Sequence, residues 1–386
     1  MPLGAAGSGR IESLSDFKVW SRYVYTANVE LLTSRFDIFN EMTNGGFQYS
    51  TGALNQGDYT FMNHTKVIPD YVQEIDMHET TANMGIRTSV PTASLEHGQI
   101  NDVKIARTSR LMFIPPGLFT WINRAPGEAA MVIAENESQQ MMKDCLDRTI
   151  EAFKGAMQYS ASGNADHVTQ VTSKQYYPTV GSGSTEKPAP FNLDVFVDLQ
   201  DKMGDMMGDI SCWVMHSGCA TRFWKKAIGD KQTLLFNWQG IRVMGDQWGR
   251  PFVIIDHPGL KGEIQIGSGP VKQPVFYILG LKPGAVRCEL NYDYAARTDD
   301  SLDGSRLMQR RYQSNWTYNM SVDQFAWGND TSRIKSPTNA ELASANRWQP
   351  VTSTPPTGFT AAKKTEFNLD MARHLPGVIG RVHATD

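Results

Sequence analysis

The sequence predicts an α+β fold, in which two long helices combine with several strand-rich segments. Residues 16–42 and 128–154 contain neither glycine nor proline, and their apolar residues recur at spacings of three to four, which is typical of helices. Residues 47–122 and the part of the chain after 274 instead combine turn residues with strand-like runs. Between these regions, residues 191–261 alternate helix and strand patterns, which favours a compact α/β unit.

The first helix is expected over Asp16–Met42 and ends at the Asn44–Gly46 turn. The residues before it begin with MPLGAAGSGR, which is small and flexible, so we expect this arm to gain order only against a neighbouring subunit. No secretion signal and no apolar run of about 18 residues is visible, so neither export nor a membrane span is predicted.

The segment Phe47–Ile122 predicts a long two-stranded projection. Within DVKIARTSRLMFIPP, every second residue would lie on the same face of a strand, and polar residues interrupt the apolar ones on that face. The residues on that face are Val103, Ile105, Arg107, Ser109, Leu111 and Phe113. Both faces are too polar to form a core alone, so we expect the segment to pack on another surface. An irregular β domain is the alternative.

A second long helix is predicted from the Pro126–Gly127 start onward, and its residues 128–154 would span about 40 Å. Its apolar stripe consists of Met142, Cys145, Thr149, Phe153 and Ala156. Because Cys145 lies within this stripe, we interpret it as a small buried core residue.

The following elements alternate along the chain. VGSGSTEKPAP, residues 180–190, predicts a loop or linker, and it lacks the Gly-Lys-Ser/Thr ending of a phosphate-binding loop. Helix, strand, helix and strand are then expected in NLDVFVDLQDKM, ISCWVMHS, GCATRFWKKAIG and GRPFVIIDHPG. Further strands are expected in QPVFYILGLKPGAV and RLMQRRYQSNWTYNMSVDQFAWG, and a short helix over Thr338–Ala343.

The charge and cysteine content narrow the classes of function. The 386 residues carry 37 Lys and Arg against 40 Asp and Glu, a net charge of -3, so recruitment of nucleic acid or an acidic membrane would require a local patch. Basic residues are densest in 107–110 and 306–311, where solvated surface or ion pairing is the simpler interpretation. Four cysteines are too few for a disulfide framework and fit a reducing compartment.

The stretch ISCWVMHSGCATRFWKK, residues 210–226, contains candidate metal ligands. Cys212, His216 and Cys219 would share a helical face, but Cys-Trp-Val-Met is typical of a buried strand and Gly218 interrupts it. A structural zinc also requires a fourth ligand, which the isolated remaining cysteines do not offer. We therefore expect core cysteines here, with no metal and no other cofactor.

Nucleophilic catalysis is the second possibility in this region. Ser217 adjoins His216, but neighbours on a strand face opposite ways, and HSGCA lacks the Gly-x-Ser-x-Gly pattern. Asp256 and His257 lie at a strand end, where catalytic residues often occur in α/β folds, yet the following Pro258–Gly259 explains them equally well as a turn. No catalytic residue is assigned.

Five stretches occur in a characteristic order along the chain. They are ISCWVMHSGCATRFWKK, GRPFVIIDHPG, VFYILGLKPGAV, RLMQRRYQSNWTYNMSVDQFAW and SPTNAELASANRW. Together with the N-terminal helix, the extended segment and the long helix, this order resembles tailed-bacteriophage major capsid proteins with the Hong Kong 97 fold. The resemblance covers most of the chain, but VGSGSTEKPAP and the tail after Pro350 depart from the simplest members.

The resemblance implies five regions. Residues 1–46 would form the N-terminal arm, and residues 47–122 the extended loop (E-loop) that lies across a neighbouring subunit. Residues 123–190 would form the part of the P-domain that contains the spine helix. Residues 191–273 would form the A-domain, whose tips meet around fivefold and sixfold axes. Residues 274–386 would return to the P-domain and end in the tail.

The resemblance also implies the function of a shell protein. Copies of the chain would assemble as hexamers and pentamers into an icosahedral shell around packaged double-stranded DNA, which is bound without sequence specificity. Scaffolding, portal and cement proteins are further partners that the resemblance admits, and no membrane is involved. Assembly would take place in the bacterial host cytoplasm, and the product would be the virion. The family has no catalytic triad and no cofactor, so none is carried over.

Two other functions remain open from the residues alone. A soluble hydrolase would use Asp256 and His257, or the region of Cys212 and His216. A binding module would use a β-rich recognition surface. Particle size separates these hypotheses, because a capsid protein forms megadalton shells whereas an enzyme stays a small oligomer.

Overall fold

The computed structural model confirms a mixed helix and sheet fold. It describes residues 14–52, 59–65, 97–114, 126–160, 164–181, 186–192, 194–226, 234–238, 241–245, 250–265, 272–291, 295–302, 308–328, 335–355 and 361–384. The helices of these residues are Leu14–Met42 (α1), Pro126–Met157 (α2), Ala165–Ser173 (α3), Asp194–Asp201 (α4), Ser217–Lys226 (α5), Asn339–Leu342 (α6) and Ala361–Ala372 (α7), with 3-10 turns at Gly204–Asp209 and Pro258–Leu260.

Strands alternate with the helices along the whole chain. They are Phe47–Thr51 (β1), Tyr59–Thr65 (β2), His97–Thr108 (β3), Met112–Ile114 (β4), Gln175–Tyr176 (β5), Thr179–Val180 (β6), Lys187–Pro188 (β7), Cys212–Met215 (β8), Leu234–Trp238 (β9), Ile241–Gly245 (β10), Pro251–Ile254 (β11), Lys261–Ile264 (β12), Gln273–Leu281 (β13), Val286–Leu290 (β14), Ala295–Leu302 (β15), Met308–Val322 (β16), Phe325–Trp327 (β17), Trp348–Pro350 (β18) and Gly377–His383 (β19).

The first sheet is organised around β16, a strand of 15 residues. On one side β16 pairs antiparallel with β14 and then β15, and on the other side with β3 and then β4. Strand β1 pairs in parallel with β14, and β2 pairs with the N-terminal half of β3. Strands β2 and β3 therefore form an antiparallel pair within the segment where a two-stranded projection is predicted. Residues 53–58, 66–96 and 115–122 of that segment lie outside the described residues.

The second sheet has the order β5-β19-β13-β8-β11-β10-β9, and β12 also pairs with β13. Strands β8 and β11 are parallel, as expected for the α/β unit, and β13 is antiparallel to both β8 and β19. Strand β19 comes from the tail after Pro350, whose place the resemblance left open. Its residues Val378, Ile379 and Val382 are fully buried, so this tail is a central part of the core.

The long helix α2 packs against both sheets. It contains 32 residues, about 48 Å of helix, and the predicted stripe is confirmed because all five of its members are buried. The hydrophobic core around this stripe includes Ile105 and Met320 of the first sheet and Val214 and Leu279 of the second. Each sheet thus covers its apolar face with the same helix.

The polar member of the stripe, Thr149, is explained by two hydrogen bonds. Its hydroxyl lies 2.7 Å from the hydroxyl of Tyr49 on β1 and donates to the carbonyl oxygen of Leu146 at 3.0 Å. Thr149 therefore satisfies a buried tyrosine while it remains in the core, and this pair joins β1 to α2.

Helix α1 is confirmed and begins two residues before the predicted start. Asn44 and Gly45 end it with positive φ angles of 50° and 72°, which glycine and asparagine adopt with least strain. Its buried face, with Trp20 and Val24, packs against Ala130 and Ala134 of α2. No helix of the described residues is both long and apolar enough to cross a membrane.

Two local expectations are refined. The segment 180–190 was predicted as a loop or linker, and β6 and β7 pair there as a short hairpin. The predicted helix at Thr338 begins one residue later, at Asn339. Thr338 is its N-cap, and the side chain of Glu341 accepts a hydrogen bond from the backbone N–H of Thr338, which completes a capping box.

Candidate functional site

The stretch with most of the candidate residues forms β8 and α5. Cys212 and Val214 belong to the core beneath α2, whereas Trp213 and Met215 belong to the core on the opposite face of the sheet. The ring of Trp213 lies edge-on to that of Phe196 on α4, with centroids 5.2 Å apart. The strand thus contributes alternate side chains to two cores, as predicted from its pattern.

The three candidate metal ligands are not assembled into a ligand set. Cys212 and Cys219 are free thiols that belong to different cores, and burial raises the pKa of each to about 12. His216 stacks on Phe276 at 5.0 Å, and its Nδ1 accepts the backbone N–H of Gly218 at 3.0 Å. Within the described part of the chain, no group of three or more His, Cys, Asp or Glu could hold a metal ion.

The expectation that Ser217 and His216 face opposite sides of one strand is wrong. Strand β8 ends at Met215, and Ser217 is the first residue of α5, so the two side chains do not point to opposite faces of a strand. The Ser217 hydroxyl donates to Oδ1 of Asp256, and Nε2 of His216 lies 3.7 Å from the same oxygen.

This arrangement does not create a serine nucleophile. In a catalytic triad the imidazole lies between the serine and the carboxylate and accepts the serine proton. Here the carboxylate of Asp256 lies between the other two groups, and it is exposed to solvent. The Nδ1 lone pair of His216 is occupied by Gly218, so no nitrogen of this ring is available as a base for Ser217. The contact fastens the start of α5 to the turn after β11.

His257, adjacent to Asp256, points instead into the interior. It is 2% exposed, and its Nδ1 accepts the backbone N–H of Gly259 at 3.0 Å, which caps the 3-10 turn. Its Nε2 lies 3.6 Å from Oδ1 of Asp147 on α2. Burial lowers the pKa of His257 to about 4, so its ring is neutral at neutral pH. The turn interpretation of Asp256 and His257 is therefore supported over a catalytic pair.

A buried ionisable cluster joins this turn to the spine helix. Burial raises the pKa of Asp147 to about 6 and also raises that of Glu151. The ammonium group of Lys154 donates to the carbonyl oxygen of Gly259 at 2.8 Å. A β-carbon on Gly259 would lie 2.1 Å from Oε1 of Glu151, so a larger residue there would displace this carboxylate. The cluster links the turn at residues 257–259 to α2.

A second charged network connects β3 with α2, and the sequence analysis did not identify it. Arg107 donates through Nε to Asp144 at 2.8 Å and makes a second bond through Nη2. The hydroxyl of Tyr318 on β16 donates to the same carboxylate at 2.8 Å. Arg148 lies 3.8 Å from Asp144 and donates to the carbonyl oxygen of Pro337 at 2.6 Å.

The sequence feature that could have revealed this network is an arginine, Arg107, among the alternate positions of β3 that are otherwise apolar. Val103 and Ile105 at these positions are buried against α2, and Arg107 follows them toward the helix. Beyond Ser109 the strand is interrupted, and Leu111 and Phe113 are exposed, although their parity predicted the same face. The basic residues 107–110 are thus partly ion-paired as expected, whereas residues 303–307 lie outside the described residues.

Exposed apolar residues concentrate at one end of the α1–α2 pair. At this end the ring of Trp20 lies edge-on to that of Tyr312 on β16, with centroids 5.9 Å apart. The exposed apolar residues of the elements that meet there are Val19, Tyr23, Leu111, Met112, Phe113, Met131 and Val132. Such a concentration is typical of a surface that contacts another protein.

Comparison with solved structures finds similar chains among phage capsids. The chain is similar to one from the Cyanophage Pam1 capsid asymmetric unit, with 7% identity over 87% of this chain and 88% of that chain and a TM-score of 0.44. It is also similar to a chain of Mycobacterium phage Adephagia, with 9% identity over 82% and 91% and a TM-score of 0.40. The capsid of Ralstonia phage GP4 gives 10% identity over 73% and 84% and a TM-score of 0.40.

Comparison with curated proteins finds no match. The family model described as "Major capsid protein 13-like" matches residues 16–356, which is most of the chain and includes the first sheet, the helix α2 and the second sheet except for β19. The chain therefore belongs to the major capsid protein 13-like family.

Proposed function

We propose that this chain builds the icosahedral shell that encloses the double-stranded DNA genome of a tailed phage. The family is one of major capsid proteins, so the chain is a structural, shell-forming protein that associates with copies of itself in a virion capsid. This confirms the predictions of a capsid function and of a protein that is not an enzyme. The observation that carries the proposal is the family match over residues 16–356.

The five regions of the chain are proposed to act as in the Hong Kong 97 fold. Residues 1–46 are the N-terminal arm, 47–122 the E-loop, 123–190 and 274–386 the P-domain with the tail, and 191–273 the A-domain. In support, residues 97–102 of β3 extend beyond β16 and pair only with β2 among the described strands. A hairpin that leaves its sheet in this way can be covered only by something outside that sheet.

The remaining partners follow from the same proposal. Hexamers and pentamers of the chain form in the bacterial host cytoplasm, with scaffolding, portal and cement proteins as further partners. The net charge of -3 suits a shell around DNA, because a weakly negative inner surface does not retain the genome by nonspecific binding.

Particle size tests the proposal directly. The purified chain, expressed alone and then with the neighbouring structural proteins of its source, is imaged by negative stain and weighed by light scattering. We expect closed shells of megadalton mass. A small oligomer under both conditions would overturn the shell proposal and reopen the hydrolase hypothesis for Asp256 and His257.

Limited proteolysis tests the E-loop assignment. A nonspecific protease should cut unassembled subunits early between Thr51 and Asp102 and should leave the same region intact in shells, because neighbours cover it there. Equal cleavage of both forms would contradict an E-loop and favour an ordinary β domain.

A further inference from the structure

Two buried cysteines meet in the core between α2 and the first sheet. Cys145 of α2 and Cys288 of β14 are each 1% exposed and belong to the same hydrophobic core. Their thiols are hydrogen-bonded to each other, and both are free of disulfide bonds. The two residues are 143 positions apart in the chain, so only the tertiary structure brings them together.

The neighbouring strands fix the position of Cys288 beneath the helix. Strand β14 lies between β1 and β16, and Cys288 is paired with Tyr49 of β1. The hydroxyl of Tyr49 lies 2.7 Å from that of Thr149 on α2, and the hydroxyl of Tyr318 on β16 donates to Asp144 of the same helix at 2.8 Å. The strand between the two tyrosines therefore lies under this stretch of α2, which contains the other cysteine.

The backbones of the two elements are close enough for a covalent link. Cα atoms of α2 and β14 come within 8 Å of each other, and a disulfide joins Cα atoms that are about 4.4–6.8 Å apart. The side chain of Cys288 points toward the helix, because Val286, Cys288 and Leu290 are the buried alternate residues of β14. The pair thus offers both the direction and the proximity that a disulfide requires.

We propose that Cys145 and Cys288 form a modification site, at which a hydroperoxide joins the two thiols in a disulfide that ties α2 to β14 within one subunit. The other two cysteines offer no such pair, because Cys212 and Cys219 belong to different cores. This inference goes beyond the proposed shell function and does not depend on it.

The reaction removes two electrons from the two sulfurs and passes them to the peroxide. One sulfur, as thiolate, attacks a peroxide oxygen, so that an S–O bond forms, the O–O bond breaks and the first water leaves. The second sulfur then attacks the resulting sulfenic acid, so that the S–S bond forms, the S–O bond breaks and the second water leaves. The two thiol protons end in the two water molecules.

The surroundings of the pair make this oxidation slow. The hydrogen bond with Cys288, followed by burial, raises the pKa of the Cys145 thiol well above its usual range. Because the thiolate is the reactive form, the pair stays reduced while the chain folds in a reducing compartment and is oxidised later in oxidising surroundings. The bond then closes a long loop of the unfolded chain, which favours the folded state.

Peptide mapping after oxidation tests the site. Folded subunits are treated with hydrogen peroxide, alkylated, digested without reduction and analysed by mass spectrometry. We expect a peptide pair that links Cys145 to Cys288, within a chain that still migrates as a monomer. The melting temperature should rise by about 5 °C or more and return to its starting value in dithiothreitol. Only this reversible part counts, because dithiothreitol does not restore oxidised methionines.

Two variants provide the matched controls. Cys288→Ala should show no reversible rise under the same treatment, whereas Cys212→Ala should retain it, because Cys212 lies in the second sheet. An equal reversible rise in Cys288→Ala would overturn the inference.

The peptide map of the wild type decides the inference even if a variant fails to fold. A folded chain without the link between Cys145 and Cys288, under conditions that oxidise the same cysteines in urea, would overturn it. A link between two copies would overturn it as well. A wild-type chain that forms no shells would contradict the proposed function and leave this inference standing.

Discussion

The carbonyl oxygen of Leu342 lies 2.2 Å from the position that a β-carbon on Gly155 would take, so α2 and α6 contact each other through bare backbone. The same carbonyl accepts the indole N–H of Trp348 at 2.9 Å. It therefore cannot retreat from a larger residue without breaking a buried hydrogen bond. This seam holds the C-terminal SPTNAEL stretch against the last turn of the spine helix.

Gly155→Ala should destabilise the subunit, although this change usually stabilises a helix by about 0.5–1 kcal/mol. The added methyl group collides with backbone, so we expect a loss of about 1–3 kcal/mol in the free energy of unfolding, measured in urea on unassembled subunits. Gly208→Ala is the control, because nothing lies within 4 Å of its β-carbon position. A higher urea midpoint for Gly155→Ala than for the wild type would show that the α2–α6 contact has room for the added methyl group.

The cysteines of β8 and α5 should be dispensable, whereas the tryptophan between them should not. The double change Cys212→Ala and Cys219→Ala removes two small core groups, and the variant should still fold and assemble. Trp213→Ala empties the opposite face of the strand and should cost about 3–5 kcal/mol. Chelator treatment and elemental analysis of the wild type check for zinc. Collapse of the cysteine variant together with tolerance of Trp213→Ala would restore the metal-site hypothesis.

Asp147→Asn should stabilise the protein in a pH-dependent way. Burial raises the pKa of Asp147 to about 6, ahead of repulsion from Asp144 and Glu151, while Lys143 and Arg148 act in the opposite direction. Because the folded pKa lies above the ordinary value near 3.9, the charged carboxylate disfavours folding, fully so above pH 6 and no longer below pH 4. We expect a gain of about 1–2 kcal/mol at pH 7.5 that vanishes toward pH 4, followed by thermal melts. A gain independent of pH would assign it to packing.

His257→Asn should reduce the loss of folding stability that the wild type shows at acidic pH. Burial, aided by Lys154, Lys143 and His216, lowers the pKa of His257 to about 4. A folded pKa below the ordinary value near 6.5 means that wild-type stability is lost as the pH falls from 6.5 toward 4. The asparagine variant keeps an acceptor for the N–H of Gly259 and should lose less stability over that window. Identical pH profiles for the variant and the wild type would contradict a buried neutral imidazole.

The contact between Arg107 and Asp144 should couple β3 to the spine helix. In a double-mutant cycle of Arg107→Ala and Asp144→Ala, the effects on unfolding should be non-additive by about 1 kcal/mol, a modest value because Arg107 is partly exposed. Hydrogen exchange at the amides of β3 should become faster in Arg107→Ala. Arg22→Ala, an exposed arginine of α1, is the control. Additive effects with unchanged exchange in β3 would mean that the hairpin is oriented by other contacts.

The sequence alone determined the elements whose residues repeat with a local period. The stripe of α2 and the buried strand Cys212–Met215 follow from side-chain spacing, and the end of α1 follows from Asn44 and Gly45. The order of five stretches also sufficed to indicate the capsid family, because it extends over most of the chain.

Only the tertiary structure decided which distant segments meet. Nothing local in GVIGRVH indicates that β19 lies between β5 and β13 in the second sheet. Arg107 interrupts a series of apolar residues, and only the fold shows that it bonds to Asp144 of α2. Likewise, Ser217 and Asp256 are 39 residues apart and meet only because α5 starts beside the turn after β11. Periodicity specifies which face of an element is apolar, but the partner of that face depends on contacts across hundreds of residues, and these form only when the whole chain folds.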